Sequence, residues 1–334
     1  MILMADLRHG GNVWEGGDPS RWLDFSANLR PEGAPEWVMR TMRAALDDTR
    51  YYPDRTLAAA RRGLAAYLDV PERCVLPTAG GAAAIDAVLA RGRGAVHVFP
   101  VTFGEYAERA AAHGRETRIW QGTCARGDTV VLCNPNNPTG RGLSREAALE
   151  MHRQAAGMGG ELIVDEAFIE FCPECSVCRR VAPGLTVVGS LTKTLCIPGV
   201  RLGYVCAEPE VVEALERRAL PWPMNALAVA VAAELPRHKG EIASDAALNR
   251  KRRALLARLL EKLGAEALPS QSNFLLVNFH RDMTQAAAQL RERHILVRTC
   301  ASFGLGPEYW RVAVKTQEEN LLLCQTLEEI FNAR

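Results

Sequence analysis

Short apolar runs separated by helical patterns dominate the chain between residues 76 and 207. Each run is continuous rather than alternating, which is typical of strands buried on both faces of a sheet. The runs lie at 95–99, 117–120, 129–133, 162–164, 186–190 and 202–207, with helical patterns at 82–91, 103–113 and 145–156. Repeated strand–helix units predict an α/β fold with a mostly parallel central sheet.

The remaining pattern predicts a second, smaller α/β domain. Beyond residue 208 the chain becomes helical, and a long helix at about 242–263 is predicted as a connector. Further strands are expected at 274–279, 295–298 and 310–314, alternating with helices at 284–293 and 317–331. We therefore expect a large domain at 46–240 and a small C-terminal domain at 241–334, which an N-terminal segment at 1–45 joins.

Composition and charge exclude several classes of protein. The 334 residues are 48% hydrophobic and 24% charged, as in ordinary soluble globular proteins. A formal net charge of +1 gives no support to a nucleic-acid surface. We find neither the run of about 18 apolar residues that a membrane span needs nor a signal peptide. We therefore expect a cytoplasmic protein with no nucleic-acid or membrane partner.

The ten cysteines are read mainly as buried free thiols, because most of them are scattered within apolar runs. The exception is the cluster of Cys172, Cys175 and Cys178. A metal or iron–sulfur site at this spacing needs a fourth ligand, and none stands nearby in the sequence. We therefore predict no metal.

A lysine flanked by hydroxyl side chains marks the most informative stretch, residues 187–204. An apolar run ends at Ser190, Thr192 and Lys193 follow, and Arg201 comes after a Pro-Gly break. The amine of lysine becomes nucleophilic once deprotonated, and neighbouring cations favour that form. Arginine suits a phosphate because its planar fork stays charged and donates in pairs. The stretch predicts a site that holds a phosphate and forms an imine.

Three upstream stretches strengthen this prediction. Gly80 and Gly81 open a helix, where free backbone N–H groups can face an anion. The loop 134–140, rich in asparagine and proline, follows a strand at the end where open parallel sheets bind their ligands. Asp165 and Glu166 directly follow another strand, and burying two acids is costly unless one has a cationic partner.

With Asn137, Asp165, Lys193 and Arg201 at this spacing, the sequence resembles fold-type I pyridoxal-phosphate enzymes of the aminotransferase class I and II family. The resemblance covers essentially the whole chain and implies the fold of these transferases. Within the family it is more narrowly similar to the subfamily that decarboxylates phosphorylated threonine in cobalamin biosynthesis. The stretches that carry the narrower resemblance are 9–12, 23–28, 165–171, 190–193 and 220–222.

The resemblance implies pyridoxal 5'-phosphate as the cofactor, with Lys193 and Asp165 as catalytic residues. Lys193 would form an imine with the cofactor and move protons at the substrate's α-carbon. Asp165 would pair with the ring nitrogen, so that the ring accepts the electrons left by bond cleavage. The other implied cofactor contacts are Asn137 at the ring 3-oxygen, Phe103 stacked on the ring, Gly81, Ala82, Ser190, Thr192 and Arg201 at the phosphate, and Tyr52 at the phosphate of the neighbouring subunit's cofactor. Shared sites of this kind imply a homodimer.

Two stretches depart from the usual pattern of the family. Residues 80–83 offer only glycine and alanine at the phosphate, so that backbone donors alone are expected from them. Phe168 stands where many aminotransferases have a tyrosine that contacts the 3-oxygen, although the decarboxylating subfamily also has phenylalanine there.

The substrate implied by the resemblance is a small phosphorylated amino acid. The implied substrate-binding residues are His9, Gly10, Asn28, Asn137, Arg298 and Arg311, of which Arg311 matches the family's carboxylate-binding arginine. The sequence leaves open which groups hold the substrate phosphate. We predict a carboxy-lyase that converts L-threonine O-3-phosphate to (R)-1-amino-2-propanol O-2-phosphate.

Three alternatives remain open. The first is L-serine O-phosphate as the substrate, giving ethanolamine phosphate. The second is an aminotransferase acting on histidinol phosphate, because positioning of the substrate decides which bond is broken at a shared cofactor site. The third is a metal- or redox-sensing protein that uses Cys172, Cys175 and Cys178.

Overall fold

A computed structural model of the protein describes residues 9–15 and 17–333. The first eight residues, where we expect no signal peptide, lie outside the described residues. Among the helices of the described part, none combines the length and the apolar character that a membrane crossing needs.

Thirteen strands and ten α-helices form in these described residues. The strands are β1 (Leu23–Asp24), β2 (Val75–Thr78), β3 (Val96–Val98), β4 (Thr117–Ile119), β5 (Thr129–Cys133), β6 (Glu161–Asp165), β7 (Leu185–Ser190), β8 (Gly203–Cys206), β9 (Glu266–Ala267), β10 (Phe274–Asn278), β11 (Ile295–Leu296), β12 (Arg298–Thr299) and β13 (Tyr309–Ala313). The helices are α1 (Glu36–Ala44), α2 (Ala58–Leu68), α3 (Gly81–Arg91), α4 (Glu105–Ala112), α5 (Arg145–Gly157), α6 (Pro209–Glu216), α7 (Ala226–Glu234), α8 (Lys239–Lys262), α9 (Thr284–Glu292) and α10 (Gln317–Asn332).

The predicted mostly parallel central sheet is confirmed. Its seven strands lie in the order β2-β8-β7-β6-β5-β3-β4. The pairs from β7 to β4 are all parallel, whereas β8 runs antiparallel to both of its neighbours. The loops after β5, β6 and β7 therefore leave the sheet at one edge, where parallel sheets bind ligands.

Burial on both faces explains why these strands are continuous apolar runs. In β5, Val130 and Leu132 pack into one hydrophobic cluster, and Val131 packs into a second cluster on the opposite face. Leu162 and Ile163 of β6 divide between the clusters in the same way. Successive side chains of a strand point to opposite faces, so a strand covered on both sides needs apolar residues throughout.

A second sheet of four antiparallel strands, in the order β12-β13-β10-β9, lies in the C-terminal part of the chain. Helix α8 contributes Ile242 to a cluster of the first sheet and Leu256 and Leu260 to the core of the second. Near the N-terminus, Phe25 packs into the second core, whereas Trp37 packs into the first. The domain boundaries at residues 45 and 240 stay a prediction.

The predicted strand at 295–298 is wrong as a single element. Residues Ile295 and Leu296 form β11, which pairs in parallel with β1. Arg298 and Thr299 form β12, which pairs antiparallel with β13 in the other sheet. Because the change of partner comes at one residue inside an apolar run, the sequence pattern does not reveal it. Strand β9 was not predicted either, because it has only two residues.

Close packing of α2 against α7 generates a test of the fold. A Cβ added at Gly63 would collide with the backbone carbonyl of Ala232, and backbone cannot yield as a flexible side chain does. We expect Gly63→Ala to lower the free energy of unfolding by about 1–3 kcal/mol, the usual cost of overpacking, as measured by urea denaturation.

Gly157, the last residue of α5, is the matched control because a Cβ there meets nothing within 4 Å. Gly157→Ala should leave stability unchanged or raise it by up to about 1 kcal/mol, as substitutions that restrict the unfolded chain do. Equal stability of the two variants would contradict the close approach of α2 and α7.

Candidate active site

A cavity of about 200 Å³ lies at the edge of the central sheet where β5, β6 and β7 end. Of the residues predicted from the sequence, the structure brings all but Tyr52 to its walls. They are His9, Gly10, Asn28, Gly81, Ala82, Phe103, Asn137, Asp165, Ser190, Thr192, Lys193, Arg201, Arg298 and Arg311. Residues that are distant in sequence therefore line one cavity.

The two acids at the end of β6 point in different directions. Asp165 lines the cavity, whereas Glu166 lines a larger groove of about 860 Å³ against α8. Alternation along the strand accounts for this separation, because adjacent side chains face opposite sides of a sheet. The imine-forming chemistry predicted from Lys193 lies in the smaller cavity, so we take that cavity as the candidate active site.

Asp165 is a buried acid whose partners are all neutral. Its carboxylate accepts hydrogen bonds from the hydroxyl of Tyr106 (2.6 Å) and from the backbone N–H of Ala167 (3.0 Å). Within residues 9–15 and 17–333 it has no cation at ion-pair distance. Burial raises the pKa of Asp165, and the two hydrogen bonds oppose that rise. A buried carboxylate of this kind needs a cation from a ligand.

Lys193 is a half-buried base that lines the same cavity as Asp165. Burial lowers the pKa of its amine to about 8, and the positive charges of Arg311 and Arg201 add to that effect. Both influences disfavour the charged ammonium form. The amine is therefore partly available as a nucleophile near neutral pH, as imine formation requires.

Backbone donors and hydroxyls form a cradle for an anion. Helix α3 begins after Gly80 with no side chain capping its first N–H groups, as the glycine and alanine sequence predicts. The guanidinium of Arg201 lies so close that a Cβ at Gly80 would be 2.8 Å from Nη2. The buried hydroxyl of Thr192 has no hydrogen-bond partner within residues 9–15 and 17–333. Uncapped N–H groups, a guanidinium and a free hydroxyl suit a phosphate.

Glycine at position 203 allows this cradle to close. Gly203 pairs with Thr78 at the end of β2 and with Ser190 at the end of β7. A Cβ there would collide with the backbone of Gly80 and approach the carbonyl of Gly189. The close approach brings the start of α3 next to the hydroxyl-bearing end of β7.

Arg311 is a buried cation whose hydrogen bonds go to uncharged oxygens. Its Nη1 donates to the side-chain oxygen of Asn137 (2.7 Å) and its Nη2 to the carbonyl of Ser26 (2.6 Å), while Nε has no partner among the described residues. Burial, followed by the positive charge of nearby Arg298, lowers the pKa of Arg311 to about 10. With Arg201, three guanidinium groups line this cavity, and such groups suit anionic ligands.

The N-terminal segment covers one side of the cavity. His9 contacts Glu105 of α4 through Nε2 (3.0 Å), and its ring lies edge-on to Phe103. Gly10 packs against the backbone of Ser26 so closely that no Cβ fits. The side-chain oxygen of Asn28 is buried and has no hydrogen-bond partner in the part of the chain that the structure describes. These predicted substrate residues thus form one wall, and their roles stay predictions.

Tyr52 is the one predicted residue that does not line this cavity. Its side chain is 78% exposed and stacks on Trp222 with ring centroids 4.3 Å apart. The prediction places it in a neighbouring subunit's site, so its position in a single chain leaves that prediction untested.

The most consequential residue that the sequence analysis missed is Tyr106, which contacts Asp165. Its signal was present, since Tyr106 follows the predicted stacking residue Phe103 by three positions at a helix start, where side chains share a face. Ser26, Cys133 and Phe303 also line the cavity without having been predicted. Phe168 lines it as expected and packs edge-on against Phe274.

The cysteine cluster differs from the set considered in the sequence. Possible ligand atoms of Cys172, Glu174 and Cys175 lie within 4.8 Å of one another. The thiol of Cys178 instead interacts with Cys206, and this contact raises its pKa. Burial raises the pKa of Cys172 and Cys175, so the uncharged thiol is the favoured form of both side chains at neutral pH.

The donor set of the cavity fits pyridoxal 5'-phosphate on three observations of this structure. In the described residues, Asp165 is a buried carboxylate with neutral hydrogen-bond partners, the cradle at Gly80 and Thr192 offers uncapped N–H groups and an unpaired buried hydroxyl, and the amine of Lys193 has a lowered pKa. Together with the central sheet, this site defines the class of protein: a fold-type I pyridoxal-phosphate enzyme.

Comparison with known proteins identifies the family. Residues 20–327 match the family model described as aminotransferase class I and II, so the chain belongs to that family. A threonine-phosphate decarboxylase of Salmonella typhimurium is 33% identical over an alignment that covers 99% of this chain and 98% of that protein. A histidinol-phosphate aminotransferase of Pectobacterium atrosepticum is 30% identical, covering 79% of this chain and 78% of that protein.

Solved structures agree on the fold. The crystal structure of L-threonine-O-3-phosphate decarboxylase from Porphyromonas gingivalis has a TM-score of 0.82 and 24% identity, covering 92% of this chain and 99% of that chain. The predicted fold class and the predicted cofactor of this family, pyridoxal 5'-phosphate, are confirmed.

The lowered pKa of Lys193 predicts a selective reactivity. In protein without bound cofactor, the amine should be about half neutral at pH 8, where an ordinary lysine is almost fully charged. Its rate of modification by trinitrobenzenesulfonate, followed by peptide mass spectrometry, should rise through pH 8 and then level off. A modification rate of Lys193 that is still rising about two pH units above 8, as for an ordinary lysine, would contradict the burial argument.

Proposed function

We propose that this protein decarboxylates L-threonine O-3-phosphate to (R)-1-amino-2-propanol O-2-phosphate in cobalamin biosynthesis. The observation that carries the proposal is a region of the cavity lined by two buried arginines, Arg298 and Arg311, in addition to Arg201. In the described part of the chain, Arg311 donates to two neutral oxygens and Arg298 donates to the hydroxyl of Ser302. A phosphoamino acid brings two anionic groups, a carboxylate and a phosphate, to such a region.

The comparisons support the same reaction. The relative from Salmonella typhimurium that matches nearly the full length of both chains is named as a threonine-phosphate decarboxylase. The alignment of the two proteins leaves no large unmatched segment at either end. This is consistent with the same arrangement, in both proteins, of the N-terminal and C-terminal residues that line the cavity.

The proposed roles of the residues follow from their surroundings. Bound pyridoxal phosphate supplies a ring that accepts the electron pair released when a bond at the substrate's α-carbon breaks. Lys193 would hold the cofactor through its neutral amine. Once the substrate's amine has displaced it, its ammonium form would donate the proton that takes the place of carbon dioxide at the α-carbon. Asp165 holds the ring nitrogen protonated. Arg201, Ser190, Thr192 and the first N–H groups of α3 hold the cofactor phosphate.

Positioning of the substrate selects the bond that is broken. We propose that Arg298 and Arg311, with His9 and Asn28 on the N-terminal wall, fix the anionic ends of the substrate. Arg311 is itself fixed by Asn137 and Ser26, so its guanidinium plane is held before substrate arrives. Preorganised contacts of this kind orient the reacting bond without new catalytic groups.

A histidinol-phosphate aminotransferase is the second candidate, because a relative of that name is 30% identical over most of both chains. Histidinol phosphate carries a phosphate but no carboxylate. L-serine O-phosphate is the remaining alternative substrate, since it has the same two anionic groups as threonine phosphate and lacks only a methyl group.

We also propose that the protein is a cytoplasmic homodimer in which Tyr52 reaches the cofactor phosphate of the partner subunit. Its exposure and its stacking on Trp222 support a surface position available to a second copy. A metal- or redox-sensing function is less well supported, because Cys178 lies apart from the group formed by Cys172, Glu174 and Cys175.

Product analysis tests the reaction. We expect carbon dioxide and aminopropanol phosphate from L-threonine O-3-phosphate in the absence of any keto acid, with slower turnover of L-serine O-phosphate. Histidinol phosphate with 2-oxoglutarate should give no glutamate. Formation of glutamate without carbon dioxide release would instead establish the aminotransferase, and stoichiometric iron or zinc without turnover would favour the sensing function.

Substitution of the lysine tests its proposed role. Lys193→Ala should abolish both turnover and the visible absorbance of lysine-bound cofactor, because the variant has no amine to form the imine. Lys251→Ala, an exposed change on α8, should retain both signals. Turnover by the Lys193→Ala variant at the rate of the unsubstituted protein would refute the proposed role of Lys193.

A further inference from the structure

We propose that Tyr106 is a positioning residue that keeps the carboxylate of Asp165 ionised and correctly oriented for the cofactor's ring nitrogen. This inference rests on the proposed role of Asp165. The side chain of Tyr106 lies behind Phe103 and Asp165, which line the cavity, and the proposed function gives it no role in the reaction.

Two hydrogen bonds fix the orientation of the Asp165 carboxylate. Tyr106 is fully buried in the first turn of α4, and its hydroxyl donates to Oδ2 of Asp165 at 2.6 Å. Oδ1 accepts from the backbone N–H of Ala167. One donor on each oxygen fixes the plane of the carboxylate, so its remaining lone pairs have a defined direction. A group that must meet a ring nitrogen benefits from such a fixed direction.

The hydroxyl of Tyr106 also affects whether Asp165 carries a charge. Burial favours the neutral acid, and a neutral carboxylic acid cannot stabilise a protonated ring nitrogen by charge. Hydrogen-bond donors favour the ionised form instead, and Tyr106 is one of the two that contact Asp165 in the described part of the chain. Burial beside Asp165 raises the pKa of Tyr106 well above its usual value, so the phenol remains a donor throughout the working range of pH.

Tyr106 also packs against Phe103. The ring of Tyr106 lies edge-on to Phe103, with centroids 5.6 Å apart. Phe103 lines the cavity and is the proposed stacking partner of the cofactor ring. Tyr106 therefore contacts both a group proposed to hold the ring face and the group proposed to hold the ring nitrogen. Removal of its hydroxyl alone separates the second contact from the first.

Tyr106→Phe is the decisive variant because it keeps the ring and deletes the donor. Tyr67→Phe is the matched control, since Tyr67 also donates to a buried acid, Glu170, at 3.4 Å but lines the other groove. Thermal unfolding followed by circular dichroism verifies that both variants are folded. Cofactor affinity is then measured by titrating cofactor-free protein, and ring-nitrogen protonation by NMR with isotope-labelled pyridoxal phosphate across a range of pH.

We expect Tyr106→Phe to bind the cofactor about tenfold more weakly, the scale of one hydrogen bond to a charged group. Its ring nitrogen should lose its proton at a lower pH than in the unsubstituted protein, whereas Tyr67→Phe should match the unsubstituted protein in both measurements. In an Asp165→Asn background, Tyr106→Phe should cause no further change in ring-nitrogen protonation, because the tyrosine acts through the carboxylate.

An unchanged ring-nitrogen titration and cofactor affinity in Tyr106→Phe would overturn this inference and leave the proposed function intact. A further loss of nitrogen protonation in the Asp165→Asn background would also overturn it. Failure of the unsubstituted protein to bind pyridoxal phosphate at Lys193 would refute the proposed function itself, and this inference with it.

Discussion

Burial of one carboxylate beside neutral partners is the constraint around which this site is arranged. Asp165 ends a strand that is covered on both faces, and in the described part of the chain its partners are a phenol and a backbone N–H. Charge left unpaired in a protein interior is costly. A bound cation would relieve that cost, and the protonated ring nitrogen of the cofactor is the cation that we propose for this position.

The cationic groups around the same cavity impose the complementary requirement. Burial and the positive charges of Arg311 and Arg201 lower the pKa of Lys193. An arginine side chain suits an anion, and a cofactor phosphate and an anionic substrate would supply anions here. The same cationic surroundings thus favour both a neutral, nucleophilic lysine and the binding of anions, which are the two properties that the proposed reaction uses.

Local pattern was enough to predict the central sheet and to draw attention to Asp165 and Lys193, whereas the resemblance to the family implied most other residues of the candidate site. Strands buried on both faces leave continuous apolar runs, and the motif residues stand at the ends of those runs, where parallel strands bring ligand groups together. Asp165 and Lys193 were therefore predicted from the residues that precede them. The change of partner between Leu296 and Arg298 was not, because one apolar run carries no sign of a switch between two sheets.

The sequence alone determined the fold class, because that depends on periodicity, and its resemblance to a known family implied the cofactor and the residues around it. Only the tertiary structure decided which partners those residues have. It placed Tyr106 on Asp165, separated Glu166 from Asp165 across the sheet, and joined Arg311 to Asn137 and Ser26 from distant parts of the chain. Such contacts depend on how strands and helices pack in space, which spacing along the chain does not specify.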